Sequence, residues 1–83
     1  MQTIKVNIEK DGISYEFVTG RKSIARIYET PKYGYIAEML RLIHPYGCRQ
    51  EMCVSFEDAK DFVCEHITRI FNYLGLDVEF VNA

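Results

Sequence analysis

The sequence predicts an α+β fold: an antiparallel β-meander of about five or six strands with one long amphipathic helix packed on one face. Three observations carry this expectation. Thr3 to Glu9 alternates strictly, with Ile4, Val6 and Ile8 on one side and Lys5, Asn7 and Glu9 on the other, the period of a half-buried strand. Turn sequences bearing glycine follow at short intervals, at Lys10-Asp11-Gly12 and at Thr19-Gly20-Arg21-Lys22. Beyond Ser55 the period changes: Phe56, Ala59, Val63, Ile67, Ile70 and Leu74 recur at gaps of three and four and share one face of a helix.

The remaining elements follow in chain order. The Asp11-Gly12 signal returns Ile13 to Val18 as the second strand of a hairpin, with Ile13, Tyr15 and Phe17 as its apolar face. Ser23 to Thr30 is rich in β-branched and aromatic residues and reads as a third strand. Pro31-Lys32-Tyr33-Gly34 is a turn by composition. Tyr35 to Ile43 reads as a fourth strand, with a helix as the alternative. Ile36 to Leu42 are largely good helix formers and Thr30-Pro31 suits a helix start, but Gly34 would then fall inside the helix and part of the strand alternation survives. His44-Pro45-Tyr46-Gly47 is a further turn, Arg49 to Val54 a short strand, and Asp77 to Val81 a last strand with Val78 and Phe80 on one face. The helix between them has its ends marked. Ser55 with Asp58 three positions on resembles a capping box, Glu57, Asp58 and Asp61 suit the positive end of the helix dipole, and Gly75 is a left-handed stop onto which Leu76 can fold back.

Eighty-three residues with 48% hydrophobic and 13% aromatic content make one small folded domain, spanning 1–83. The net charge of −2 does not mark a polyanion-seeking chain, yet the charge is unevenly spread. Arg21, Lys22, Arg26, Lys32, Arg41 and Arg49 face only Glu29 and Glu38 in the middle of the chain. From Gln50 onward Lys60 and Arg69 face Glu51, Glu57, Asp58, Asp61, Glu65, Asp77 and Glu79. No stretch reaches the length of a membrane span, and Met1-Gln2-Thr3 leads straight into strand-like sequence, so neither a leader peptide nor membrane association is expected. Three cysteines, an odd number, fit a reduced cytoplasmic setting better than a disulfide framework.

Chemistry-bearing residues do not form a recognisable set. His44, Cys48, Cys53, Cys64 and His66 are metal-ligand types, but four residues separate Cys48 from Cys53, and Cys64 and His66 point to nearly opposite sides of a helix; no metal site is expected. Cys48 beside His44 is the one candidate nucleophile–base pair, without a third group to orient it. No phosphate-binding glycine loop and no catalytic triad are present, so neither an enzyme nor a cofactor is expected.

Two features point to recognition. Phe62, His66, Arg69 and Tyr73 form a stripe on the helix shoulder, either capping the sheet or serving as an aromatic and basic docking ridge. Tyr33, Tyr35 and Tyr46, together with Tyr28, cluster at turns, where tyrosine supplies contact area at low entropic cost. The helix covers one side of the sheet only, so the side carrying Lys5, Asn7, Ser14 and Glu16 is expected to be wet and available.

Two readings of function follow. Starting at its own methionine and carrying no linker, the chain is expected to act alone, and in size and layout it resembles the small stand-alone proteins phages make to block host machinery, anti-CRISPR proteins among them. That resemblance rests on no shared motif. It implies a non-enzymatic protein-binding inhibitor that sterically blocks a larger nucleic-acid-handling complex, its acidic helix face (Glu57, Asp58, Asp61, Glu65) meeting a basic surface. The alternative starts from the strands followed by Val54-Ser55-Phe56-Glu57-Asp58-Ala59-Lys60-Asp61-Phe62, which loosely resemble, over Ser23 to Ile67, the arm-binding domain of phage integrases. That resemblance implies a nucleic-acid binder whose sheet enters the major groove, with phosphate contacts from Arg21, Lys22, Arg26, Lys32, Arg41 and Arg49. A homodimer through a free sheet edge or the helix shoulder is compatible with either.

Overall fold

The computed structural model describes residues 2–40 and 49–82. It contains six strands and one helix: β1 (Thr3–Asp11), β2 (Ser14–Thr19), β3 (Lys22–Thr30), β4 (Gly34–Met39), β5 (Arg49–Cys53), α1 (Phe56–Tyr73) and β6 (Asp77–Asn82). The strands form one sheet in the order β5-β4-β3-β2-β1-β6. The expected α+β meander with one packed helix is what forms. Gly34–Met39 is strand, not helix; the rest of the expected fourth strand beyond Leu40 and the turn at His44 to Gly47 lie outside the described residues.

The sheet is not antiparallel throughout. β6 pairs with β1 in parallel, Ile4 opposite Val78 and Val6 opposite Phe80. Four antiparallel pairings alternate strand direction, so β5 runs the same way as β1. The helix then carries the chain back, and the strand after it can only run with β1. A count of five or six strands was legible; the return direction depends on where the helix delivers the chain.

Turn chemistry sets the registers. Asp11 pairs with Ser14 and Thr19 with Lys22, leaving the two-residue loops Gly12-Ile13 and Gly20-Arg21. Gly12 and Gly20 have φ of +62° and +63° and, among the described residues, no other residue type is left-handed, the pattern of type II′ turns with glycine first. The Asp-Gly signal therefore marked the right turn one residue early. In consequence Ile13 is not on the apolar face of β2 but in the loop, 77% exposed. The next hairpin has a three-residue loop closed by Thr30, whose hydroxyl donates to the Gly34 carbonyl and accepts from the Tyr33 N–H.

Under the helix, Ile8, Phe17, Ala25 and Met39 lie in one row across four strands. Ile24 is an extra residue in β3, where the register shifts between Phe17 and Val18, and the bulge lets Ile24 and Ala25 both be buried. On α1, Ala59, Val63 and Ile67 are fully buried, with Phe56 and Ile70 packed at the margins. Leu74, expected on the same face, is 63% exposed. It follows the last helical residue and lies in a Schellman stop: Gly75 N–H donates to the Asn72 carbonyl and Leu76 N–H to the Phe71 carbonyl, with Gly75 at φ +83°. At the other end the Ser55 hydroxyl accepts the Asp58 N–H at 3.1 Å, as its position before the helix requires.

The face away from the helix carries a polar row, Glu9–Glu16–Arg26–Glu38–Gln50, one residue from each of five strands. The expected wet face is thus largely correct, with one exception: Glu38 is only 7% exposed. Its carboxylate accepts from Arg26 Nε at 2.6 Å and from the Gln50 amide. A buried carboxylate needs such partners, because an unpaired one costs several kcal/mol.

Gly34 tests the β4–β5 contact. At φ +78°, a Cβ there would lie 2.7 Å from the Cys53 carbonyl oxygen, whereas one at Gly20 would meet nothing. Gly34→Ala should therefore destabilise the domain by about 2–3 kcal/mol and Gly20→Ala by about 1 kcal/mol, read from urea denaturation. Equal losses would show that the close approach does not restrict the site.

Candidate functional site

The antiparallel turns place the β1–β2 loop, the β3–β4 loop and the β5–α1 junction at one end of the sheet. Exposed apolar side chains gather there: Ile13, Tyr33, Met52 and Val54, the last 90% exposed. On the helix side, at the start of α1, lies a notch of about 370 Å³ with Ile13 in its lining. Its wall is aromatic. The Phe56 ring lies 4.4 Å from that of Tyr15 and 6.2 Å from that of Tyr35, centre to centre, so three rings from β2, β4 and α1 form one surface. Lys10 and Glu29 supply the charge at its margins. The Lys10 ammonium sits 5.8 Å from the Tyr15 ring centre, a cation–π distance. Glu29 is the register partner of Tyr35, and its carboxylate holds the Tyr35 phenol above the ordinary tyrosine range.

This end brings together some of the residues expected to bind and separates others. Tyr33 and Tyr35 belong to it; Tyr46 lies outside the described residues. Tyr28 lies on the opposite face of the sheet, where its ring is 5.4 Å from the Arg26 guanidinium. Ile13, Tyr15, Val54 and Phe56 were not expected to take part. The signal for Ile13 was available in the turn residues, since a two-residue loop starting at Gly12 puts Ile13 in the turn; Tyr15, Val54 and Phe56 carried no such signal.

The helix-shoulder stripe divides in two. Phe62 packs against the core, and its ring lies 4.3 Å from that of His66. His66 Nδ1 is 3.1 Å from the Phe62 carbonyl and must carry the hydrogen, because a carbonyl only accepts; Nε2 is buried with no partner among the described residues. Both rings thus act in packing. Arg69 and Tyr73 are exposed, Tyr73 at 90%. The carboxylates Glu57, Asp58, Asp61 and Glu65 are all exposed on the outer helix face.

The basic residues of the nucleic-acid alternative are dispersed. Arg21 and Lys22 sit at the β2–β3 turn and Lys32 at the opposite end of β3, a nine-residue strand spanning about 27 Å. Arg26 is paired with Glu38, Arg49 opens the edge strand β5, and Arg41 lies outside the described residues. The open face between them carries Glu9, Glu16, Glu38 and Glu79 beside Lys5 and Arg26. β5 and β6 form the sheet's outer edges, lined by Arg49, Gln50 and Glu51 on one side and Asp77 and Glu79 on the other.

Among the described residues, no three His, Cys, Asp or Glu side chains are grouped to hold a metal ion. His44 and Cys48 lie outside them. Burial pushes the Cys64 thiol up to about 11 and, with Glu51 and Asp58 nearby, raises Cys53 as well, so neither is an activated thiolate. The Ser55 and Thr30 hydroxyls are committed to a helix cap and a turn. Among the described residues, no helix is long and apolar enough to cross a membrane. No family model, no curated protein and no solved structure matches the chain.

Two measurements follow from these placements. Phe62→Ala should cost about 2–3 kcal/mol of stability and Tyr73→Ala less than about 0.5 kcal/mol; equal effects in denaturant titrations would show that Phe62 does not brace the core. The Cys64 thiol holds its proton to about pH 11 in the fold against an ordinary value of 9.0. The stability it contributes is therefore full below pH 9 and lost as the pH rises towards 11. The unsubstituted protein should lose more stability than Cys64→Ala over that range, and parallel stability–pH curves would contradict this.

Proposed function

We propose that the chain is a small non-enzymatic protein-binding module that docks through the turn end of its sheet, around Ile13, Tyr33, Tyr35 and Val54. The observation that carries this reading is the aromatic notch of Tyr15, Tyr35 and Phe56, with Ile13 in its lining, at the same end of the sheet where Tyr33 and Val54 are exposed on two further connections. Scattered surface leucines or valines are ordinary, but a contiguous apolar and aromatic patch with a charged margin has the composition of an interface centre. The domain would act by steric occlusion, in the manner of a phage-type inhibitor of a nucleic-acid-handling complex. Such a target presents basic surface, and the acidic outer face of α1 adjoins the notch at Phe56 and complements it. The cysteines suit a reducing cytoplasm.

Direct nucleic-acid binding has less support. Its cations are separated along β3, and Glu38 sits among them on the open face. Two copies joined through β5 or β6 would be compatible with docking at the turn end.

A pull-down from bacterial lysate, with and without nuclease and at two salt concentrations, tests this directly. The unsubstituted domain should retain a protein partner after nuclease treatment, and Ile13→Asp with Val54→Asp should lose at least about 90% of it while keeping the same thermal midpoint. Capture unaffected by the two aspartates would overturn docking at this end. Capture that disappears with nuclease and falls steeply with salt would favour the nucleic-acid reading.

A further inference from the structure

The notch joins aromatic rings to a carboxylate, and that pairing selects a particular chemistry. Among the described residues, the only ion pair is Arg26–Glu38, on the far side of the sheet, so no cation lies within ion-pair distance of Glu29. Glu29 and Tyr35 are directly opposed across β3 and β4, which sets the carboxylate beside the phenol ring. The same side is anionic beyond the notch: Glu51 and Asp58 both act on Cys53, the residue opposite Tyr35 in β5. Lys10, the one cation in the lining, is at the other wall over Tyr15.

Resting on the docking reading above, we infer that the notch receives an arginine side chain from the protein partner, its guanidinium lying against Tyr35 and Phe56 and pairing with Glu29. The volume of about 370 Å³ is enough for a single long side chain. A guanidinium is planar and weakly hydrated, stacks on ring faces and forks onto a carboxylate, so one group satisfies both features. An ammonium is compact and strongly hydrated and gains less from the rings. An apolar side chain would strip water from Glu29 and return no partner to it.

The experiment is an NMR titration of the full 15N-labelled chain with N-acetyl-arginine amide, and with the lysine and citrulline counterparts. Citrulline keeps the planar shape and removes the charge. The arginine probe should shift the amides of Gly12, Tyr35 and Phe56 in a saturable way, with citrulline and lysine weaker by about tenfold or more. Glu29→Gln, at an exposed position that leaves the fold intact, should weaken the arginine probe to a similar degree. Equal shifts with citrulline, an unchanged response in Glu29→Gln, or shifts confined to the outer face of α1 would overturn the inference. The two readings fail separately. If the Ile13 and Val54 aspartates abolish partner capture but the arginine probe leaves the notch unmoved, docking stands and arginine recognition falls. If the probe binds through Glu29 and the aspartates leave capture intact, the arginine site stands and the partner docks elsewhere.

Discussion

The contact on which the rest depends is the packing of Ala59, Val63 and Ile67 into one buried core with Ile8, Phe17, Ala25 and Met39. Alanines on both sides, at 59, 25 and 37, let the helix approach the strands closely, and the bulge at Ile24 adds a further buried side chain where the sheet would otherwise alternate outward. Each large apolar side chain removed from water in this layer contributes on the order of 1.5–3 kcal/mol. The same contact fixes topology. Once α1 lies on that face, the chain leaving it returns at the β1 edge, and β6 joins in parallel.

One helix on a six-stranded sheet also determines what is left over. The opposite face must live in water, which it does through the row of polar residues centred on Arg26, Glu38 and Gln50. Because α1 starts at Phe56, the last rows of β2, β3 and β4 run beyond its cover. Tyr15 and Tyr35 pack against the core there, half-buried, and line the notch with Glu29. The notch is thus a consequence of where the Ser55 cap starts the helix relative to the turns, and the loop residue Ile13 lines it for the same reason.

Much of this was legible in the chain. Period-two alternation located β1, and a period near 3.6 with a serine cap and a glycine stop located α1, because each of these patterns is local. What was not legible depends on pairing. The direction of β6 follows from the crossover. Glu38 reads as an ordinary surface residue until β3 and β5 bring Arg26 and Gln50 to it. The notch needs residues 10, 15, 29, 35 and 56 placed together by four registers, and only Tyr35 among them stood out beforehand. For the stripe of Phe62, His66, Arg69 and Tyr73 the chain left two readings open, capping the sheet or forming a docking ridge, because a helical wheel gives angle and not depth; Phe62 packs against the core with the His66 ring beside it, and Arg69 and Tyr73 are left outside.

The central claim is that the turn end is the working surface. Hydrogen–deuterium exchange of the domain alone and bound to the protein partner recovered from bacterial lysate tests it most directly, since exchange reports on every backbone segment in one experiment. The account predicts slowed exchange in the Gly12-Ile13 loop, the Pro31 to Gly34 loop and the Val54–Phe56 junction, with the β2–β3 turn unchanged. Protection at Gly20 to Lys22 or around Tyr73, with none at the three connections, would contradict it.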